Sequence, residues 1–419
     1  MSFYTPQIKQ NQCPQARSGH TAVKHNGNII IHGGYNERLA SRQRVNDMYM
    51  PPDELWLYNM EDSTWKSRKT SGSFPGTGIS GAAACVLNDR MIVFGGYGCA
   101  LGRLSLVYEL DLKTLVWRNL TKEGIVKGPY PSRRDKFVTW VHQNQIIFFG
   151  GYGPPPEAKN GRNGEFCYDE TEGRIALGVG WNNDVCVLDF SIPGEIKWRY
   201  PELSVEKPLP RAAHAATKVL NNGYIFGGRN RDTRVNDMLY LDLDSFNWHK
   251  VNYNSPAPEG RSWHVMGKIS EKSIFLHGGL DTGGTPLSDM WLFNTETKLW
   301  TEVVSNSFAT GSPRRIWHTA IESDDDDEVI IFGGCSNSVL SDEPSKHSNE
   351  ILAFRASPIK LEQLCIKQLA CVLNSTLCGY EQLANMPKHI QSRISNRLHK
   401  REEPPHDGNM KCQMICSLL

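Results

Sequence analysis

Six times along the chain, a run of β-branched or aromatic residues ends in a Gly-Gly doublet. The doublets fall at Gly33–Gly34, Gly95–Gly96, Gly150–Gly151, Gly227–Gly228, Gly278–Gly279 and Gly333–Gly334. The runs predict short strands, and glycine at a strand end indicates a tight turn or a close approach of two backbones. Such self-similarity is typical of repeat architectures, in which neighbouring units bury each other's faces.

Two other features recur in register with the doublets. Arg-x-x-His precedes the doublet in four units, as Arg17/His20, Arg211/His214, Arg261/His264 and Arg315/His318. Unit two has Ile-Ser-Gly-Ala there, and unit three places Lys136 at or next to the histidine position. A Leu/Tyr-rich strand and then a tryptophan follow the doublet in five units, at Trp65, Trp117, Trp198, Trp248 and Trp300. The sixth unit ends at NEILAF without a tryptophan.

Each unit therefore predicts four antiparallel strands, here called A to D, with the doublet ending strand B and the tryptophan on strand D. A large indole suits the wedge between two neighbouring sheets. One such sheet cannot bury both faces alone, whereas a closed ring of six can. We predict an all-β, six-bladed propeller over residues 14–357. The fourth strand of the last blade is left open between the residues before Cys13 and the stretch after Phe354.

Composition excludes several classes of function. The 46 Lys and Arg against 45 Asp and Glu give a net charge of +1, so nothing draws the chain to nucleic acid or an anionic membrane. The 11 cysteines form no CxxC pair, and Cys85 and Cys186 stand within apolar runs, as buried thiols of a reducing compartment do. Without a signal peptide or apolar span, we expect a protein of the cytoplasm and/or nucleus.

Residues that break the repeat near one end of the ring are the candidate site. The D–A and B–C loops of all blades converge on a single opening, the mouth. Basic, hydroxyl and aromatic residues depart from the repeat there: Lys136, Tyr152, Trp181, Arg229, Arg234, Ser262, Trp263, Arg315 and Trp317. Arginine grips a carboxylate bidentately, and indoles pack on peptide backbone, so this set suits a chain end. The alternative is that the arginines pair with Asp232 and Asp237 and merely fix their own loop.

Residues in repeat register are interpreted as scaffold instead. The histidines of Arg-x-x-His are expected to be hydrogen-bonded structural groups rather than metal ligands or bases. No metal or cofactor site is predicted, and no other His, Cys, Tyr or carboxylate constellation suggests an enzyme.

After Pro358 the pattern becomes helical. Leu361, Cys365 and Leu369 lie on one face of a first predicted helix, Gly379 breaks the pattern, and Met386-Pro387 begins a second. From periodicity alone, these are two helices packed on the propeller.

The whole pattern resembles the kelch repeat and, within it, the family of kelch domain-containing proteins 1 and 2. The strings that carry the resemblance include RSGH, PPDELW, IFFGGYG, GWNND, PRAAHA, FGGR, RSWH and VIIFGGC. The resemblance implies a non-catalytic substrate receptor of a cullin-2 RING ubiquitin ligase, which binds client proteins through free C-terminal degrons, notably ones ending in Gly-Gly. It places the peptide-binding positions at Tyr152, Lys136, Trp181, Arg229, Arg234, Ser262 and Trp263.

The same resemblance extends to the tail. Leu361, Cys365 and Leu369 are similar to the BC box that docks Elongin B/C, and Met386, Pro387 and Ile390 to the cullin-2 box. This implies a helical Elongin- and cullin-binding segment over residues 358–398 and a flexible tail over 399–419. The alternative function is a kelch scaffold unrelated to ubiquitination.

The chain ends Cys416-Ser-Leu-Leu, a pattern for prenylation of Cys416. Contact with a membrane is expected only if that cysteine carries a lipid.

Overall fold

The computed structural model describes residues 1–8, 12–39, 48–60, 62–157, 163–171, 177–203, 206–304, 313–323, 327–341 and 343–358, and individually Cys365, Leu369, Lys388, Gln391 and Ile394. Over this part of the chain, six antiparallel sheets of four strands form a ring. The first strand of each sheet contacts the first strand of the next, and the last sheet contacts the first. The prediction of a six-bladed propeller is confirmed.

The strands of each blade are given in the order A to D, from the axis outward. Blade one contains Thr21–His25, Asn28–His32, Glu54–Asn59 and Thr64–Lys69; blade two contains Ala83–Leu87, Arg90–Phe94, Val107–Asp111 and Val116–Asn119; blade three contains Val138–His142, Gln145–Phe149, Val185–Asp189 and Ile196–Arg199. Blade four contains Ala215–Val219, Asn222–Phe226, Met238–Asp242 and Trp248–Lys250; blade five contains Val265–Ser270, Ser273–Asp281, Pro286–Asn294 and Trp300–Glu302; blade six contains Thr319–Glu322, Glu328–Phe332, Ile351–Arg355 and Ser2–Tyr4.

Shorter elements lie between these strands. Ser71–Gly72 and Val126–Lys127 pair in parallel with the D strands of blades two and three. At the mouth, the 3₁₀ helix Glu37–Leu39 and the short strands of blades two to five form the rim: Tyr97–Gly98, Gly102–Arg103, Tyr152–Gly153, Phe166–Tyr168, Gly180–Asn182, Arg229–Asn230, Thr233–Arg234 and Arg261–Ser262.

The glycine doublets join each blade to the next. Both glycines of every doublet have positive φ, a conformation that side chains disfavour. The second glycine donates its N–H to the following blade, as Gly34 does to the carbonyl of Ile79 at 2.9 Å and Gly334 does to that of Arg17 at 2.9 Å. A Cβ on Gly33 would lie 2.8 Å from the Ile79 carbonyl oxygen. The doublet is thus required by backbone conformation and by space.

The tryptophans of the D strands fill the wedges between blades, as predicted. Trp65, Trp117, Trp198, Trp248 and Trp300 are all buried. Each ring packs on an aromatic ring in strand B of the preceding blade, with centroids 4.7 Å apart for Trp248 and Phe149 and 4.9 Å apart for Trp198 and Phe94.

The N-terminus closes the last blade. Ser2–Tyr4 pairs antiparallel with Ile351–Arg355. Phe3 is fully buried and lies 5.5 Å from His277 in strand B of blade five, so it takes the wedge position that tryptophan fills in the other blades. The question left open by the sequence is settled: the strand Ser2–Tyr4, which lies before the predicted start at residue 14, is the fourth strand of the last blade.

Each repeat arginine is bound to a carboxylate that precedes strand C, begins it or, in blade five, lies within it. Arg17 pairs with Glu54, Arg134 with Asp184, Arg211 with Asp237, Arg261 with Asp289, and Arg315 with Glu350. All five arginines are buried, and a buried ion pair is expensive to break from one side. These pairs fix the start of strand C against strand A.

Candidate functional site

Six residues form a hydrogen-bonded ring around the propeller axis, just inside the mouth. They are the residues that precede strand A in each blade: Gly19, Gly81, Lys136, Ala213, Trp263 and Trp317. Each donates its backbone N–H to the carbonyl of its counterpart in the preceding blade, at 2.8 to 3.1 Å, and Gly19 closes the circle by donating to Trp317. All six have positive φ, between 55° and 65°. We call them the axial ring.

Three members of the axial ring carry large side chains despite this backbone. A left-handed conformation costs a residue with a Cβ about 1 kcal/mol, and blades one and two avoid that cost with glycine. Lys136, Trp263 and Trp317 accept it, and all three remain half-buried at the mouth. Strain that persists in a few members of a repeat is typical of positions under functional constraint.

These side chains meet across the axis and give the mouth a floor. Trp317 stacks on Trp263 with ring centroids 5.6 Å apart, and its indole would clash with any Cβ on Gly19. The ammonium of Lys136 lies 5.4 Å from the Trp317 ring, although blades three and six face each other across the ring of six. These contacts form a floor inside the mouth, and we call the space above it the funnel.

Arg229 and Arg234 form one side of the funnel. They are cross-strand partners in the short hairpin after the doublet of blade four. Arg229 follows the doublet directly, where other blades have tyrosine, leucine or cysteine, and its guanidinium lies 5.8 Å from the Trp181 ring. Its Nε donates to the carbonyl of Arg231 at 2.7 Å.

Arg234 is buried, with a relative exposure of 7%, and rests on neutral partners. Its Nε donates to Ser262 Oγ at 2.8 Å, and one terminal nitrogen reaches the carbonyl of Thr282 at 3.4 Å. Burial, and then the nearby charge of Arg229, lower the pKa of Arg234. The site therefore holds two arginines whose positive charges repel each other.

The alternative interpretation of these arginines is not supported. Asp237 is already bound to Arg211 through both carboxylate oxygens. Among the ion pairs within 4.0 Å between described residues, none involves Arg229 or Arg234. Asp169 and Asp281 are close enough to act electrostatically on Arg229 and Arg234, respectively, but among the described residues neither forms an ion pair with them within 4.0 Å.

Tyr152 and Trp181 form the adjoining wall. Both are buried, their strands pair directly, and their rings lie 5.4 Å apart. The Tyr152 hydroxyl donates to Asp169 at 2.7 Å. Burial of Asp169 acts to raise its pKa, but hydrogen bonds from Thr171 and Tyr152 and the nearby charge of Arg229 outweigh it and hold the pKa below its ordinary value. This carboxylate stays ionised and fixes the tyrosine.

The structure brings all seven predicted peptide-binding residues into this one funnel, but it contradicts the placement of Arg315 at the mouth. Arg315 does not face the mouth, because it is buried against Glu350. Unit three does keep the repeat arginine, as Arg134, but Phe137 stands at the histidine position and Lys136 lies next to it.

The repeat histidines are buried scaffold groups, although not all are hydrogen-bonded. His20 Nε2 lies 2.8 Å from Thr319 Oγ1, and His318 Nε2 lies 3.2 Å from His277 Nδ1. Neither ring nitrogen of His214 has a hydrogen-bond partner among the described residues. His214 instead packs edge-to-face on Phe149.

Three residues of the funnel have no role that the sequence alone predicts: Trp317, Asp135 and Arg103. Trp317 was recognisable as a mouth residue but not as the floor. Asp135 and Arg103 carry no recognisable signal, because Asp135 stands within the repeat and Arg103 lies outside it, in the short strand Gly102–Arg103 of blade two. Asp135 lies between Arg103 and Lys136.

Most predicted tail residues lie outside the described part of the chain, namely Leu361, Met386, Pro387, Ile390 and Cys416. Cys365 and Leu369 have helical backbone and are exposed, whereas Ile394 is helical and fully buried.

Within the described residues, no group of three or more His, Cys, Asp or Glu side chains could hold a metal ion. In the same part of the chain, no helix is long and apolar enough to cross a membrane.

The fold and the mouth together define the class of protein: a six-bladed β-propeller whose mouth is lined by basic and aromatic side chains. The family model for the KLHDC2/KLHL20/DRC7 Kelch-repeats domain matches residues 50–175 and 173–334. Human kelch domain-containing protein 2 is 39% identical over 406 residues, covering 94% of each chain. Human kelch domain-containing protein 1 is 31% identical over 395 residues, covering 92% of this chain and 90% of the relative.

The chain belongs to the family of kelch domain-containing proteins 1 and 2. Among solved structures, the one titled "Structure of YjhT" matches with a TM-score of 0.58 and 16% identity, over 82% of this chain and 96% of that one. At that identity it supports the propeller fold alone.

Proposed function

We propose that this protein is the substrate-recognition subunit of a cullin-2 RING ubiquitin ligase and that its funnel binds the C-terminal carboxylate of client chains. The observation that carries the proposal is the pair Arg229 and Arg234, two neighbouring cations of the funnel without an ion-pair partner among the described residues. A buried cation is stable only if it is paired or strongly hydrogen-bonded, so the site favours an anionic ligand.

The carboxylate binds between the two guanidinium groups, with the hydroxyl of Ser262 beside Arg234. Charge-assisted hydrogen bonds of this kind contribute about 1.5 to 3 kcal/mol each. Lys136 bonds the last peptide units, and Trp181, Trp263 and Tyr152 enclose the backbone. Trp317 and Lys136 limit the depth, so small last residues such as Gly-Gly fit best.

The test uses one client-like peptide ending in Gly-Gly in three forms: free acid, C-terminal amide, and the acid extended by two residues. Calorimetric titration is expected to show binding of the free acid and a loss of affinity of about 100-fold for both other forms, since each removes the carboxylate from the arginines. Equal affinity for the acid and the amide would exclude carboxylate capture.

The tail supplies the second half of the proposal. Leu361, Cys365 and Leu369 dock Elongin B/C, and Met386, Pro387 and Ile390 dock cullin-2. In support, the described residues Cys365 and Leu369 are helical, exposed and one turn apart, so a partner helix can reach both.

Co-purification from cells separates the two halves. The double variant Leu361→Ala/Cys365→Arg is expected to lose Elongin B/C and keep the client, whereas Arg234→Gln is expected to lose the client and keep Elongin B/C. Elongin retained at the wild-type level by the double variant would favour the alternative, a non-catalytic kelch scaffold unrelated to ubiquitination.

A further inference from the structure

One position at the mouth carries a carboxylate where the other blades have small or apolar side chains. In each blade, the residue before the axial ring pairs with the residue that follows the Gly-Gly doublet. The side chains at this position are Ser18, Ser80, Asp135, Ala212, Ser262 and Ile316. Asp135 has a relative exposure of only 2%. A buried charge at one of six equivalent places needs an explanation.

Asp135 is bound by two cations of the funnel. Lys136 Nζ lies 2.5 Å from one carboxylate oxygen, and Arg103 Nε donates to the other at 3.3 Å. The backbone of Asp135 also pairs with Tyr152 in both directions, at 2.9 and 3.0 Å. The carboxylate is therefore held in place, and it cancels one of the two positive charges beside it.

The Tyr152 ring lies between this trio and the pair Arg229 and Arg234. The guanidinium of Arg103 lies 4.6 Å from the Tyr152 ring, and Trp181 separates Tyr152 from Arg229. The funnel thus has two differently charged sides. Among the described residues, Arg229 and Arg234 have no ion-pair partner within 4.0 Å, and Asp169 and Asp281 act on them only at longer range. Arg103, Lys136 and Asp135, in contrast, sum to a single positive charge that is already engaged in ion pairs.

We propose that Asp135 determines specificity by confining anion binding to Arg229 and Arg234 and by disfavouring acidic side chains in the client residues just before the chain end. This inference deepens the proposed function and rests on it. The physical reason is that like charges brought together in a site shielded from water repel each other strongly. A client glutamate that reaches Lys136 meets Asp135 as well.

The experiment compares paired peptides that carry glutamate or glutamine at each of the third, fourth and fifth positions from the free C-terminus. The main variant is Asp135→Ser, since serine fills the same position in three other blades and keeps the strand pairing. Asp135→Asn serves as a second, nearly isosteric variant. The measured quantity is the ratio of the two dissociation constants, which a merely weakened fold would not change.

In the wild type, glutamine is expected to bind as well as glutamate or better. In both Asp135 variants, the affinity for the glutamate peptide relative to the glutamine peptide is expected to rise by about 10-fold at one position or more. This rise is expected to be smaller at high salt. The double variant Asp135→Ser/Lys136→Gln removes one charge of each sign and is expected to return the ratio to near the wild-type value.

A ratio unchanged in both single variants, while the wild type still prefers the free acid to the amide, would overturn the role of Asp135 and leave the proposed function standing. A wild type that does not distinguish acid from amide would remove the proposed function and this inference together.

Discussion

His214 shows how one residue position can be filled in two ways without changing the fold. Its ring is buried, and burial and the nearby charge of Arg211 hold its pKa well below the ordinary value. His20, His264 and His277 are also buried, which lowers the pKa of each to about 3. Phe137 occupies the equivalent position in blade three, where no titration is possible.

These histidines make stability depend on pH. In the folded protein they stay neutral, whereas in the unfolded chain they titrate near pH 6.5, so the unfolded state gains protons first as the pH falls. Their contribution is therefore complete above about pH 6.5 and is lost progressively as the pH falls towards 3.

The substitution His214→Phe removes one group that binds a proton in the unfolded chain, so it should weaken the dependence of stability on pH. Between pH 7.5 and pH 5.5, the wild type is expected to lose about 1 kcal/mol more unfolding free energy than the variant. Urea denaturation at the two pH values measures the difference. His249→Phe, which replaces an exposed ring, is the matched control and should follow the wild type. A wild-type slope in His214→Phe would contradict the account.

At the scale of elements, the strands and turns of each repeat can be predicted from the sequence, whereas the contacts that close the ring cannot. The doublets and the tryptophans each act within one blade or its neighbour, so their residue types recur. Phe3 performs the tryptophan's task from the other end of the chain, and nothing beside it reveals that. The sequence does not identify Arg134 as a repeat arginine, because Phe137 replaces the histidine of the Arg-x-x-His pattern. It does not single out Asp135 either, because only the folded structure shows the cations that lie beside it.

The strand Ser2–Tyr4 is expected to stabilise the whole ring. Phe3 packs with Phe275, Phe354 and Met290 in the core between blades five and six. Phe3→Ala should lower the unfolding free energy by about 3 to 5 kcal/mol, since it removes a fully buried ring. Chemical denaturation of Phe3→Ala and of Ser2→Ala, a half-exposed neighbour, tests this. Equal midpoints for the two variants would show that the strand is dispensable.

For the molecule as a whole, the propeller holds the axial ring and the two arginines of the funnel by contacts from separate parts of the chain. The backbone circle of the axial ring holds Lys136, Trp263 and Trp317 in strained conformations that six blades together can support. The arginines beside them are fixed by a hairpin of blade four and by Ser262 of blade five. These hydrogen bonds hold the mouth residues in place without a ligand, and such preorganisation would lower the entropy cost of binding the proposed chain end.

The most direct test of this account is the affinity ratio between a free-acid peptide and its C-terminal amide, measured for the wild type, Arg234→Gln and Arg231→Gln. Arg231 lies in the same hairpin but is exposed, so its variant controls for a general loss of positive charge. The account predicts a ratio of about 100 for the wild type and for Arg231→Gln and a ratio within a few-fold of one for Arg234→Gln. The same ratio in the wild type and in Arg234→Gln would contradict it.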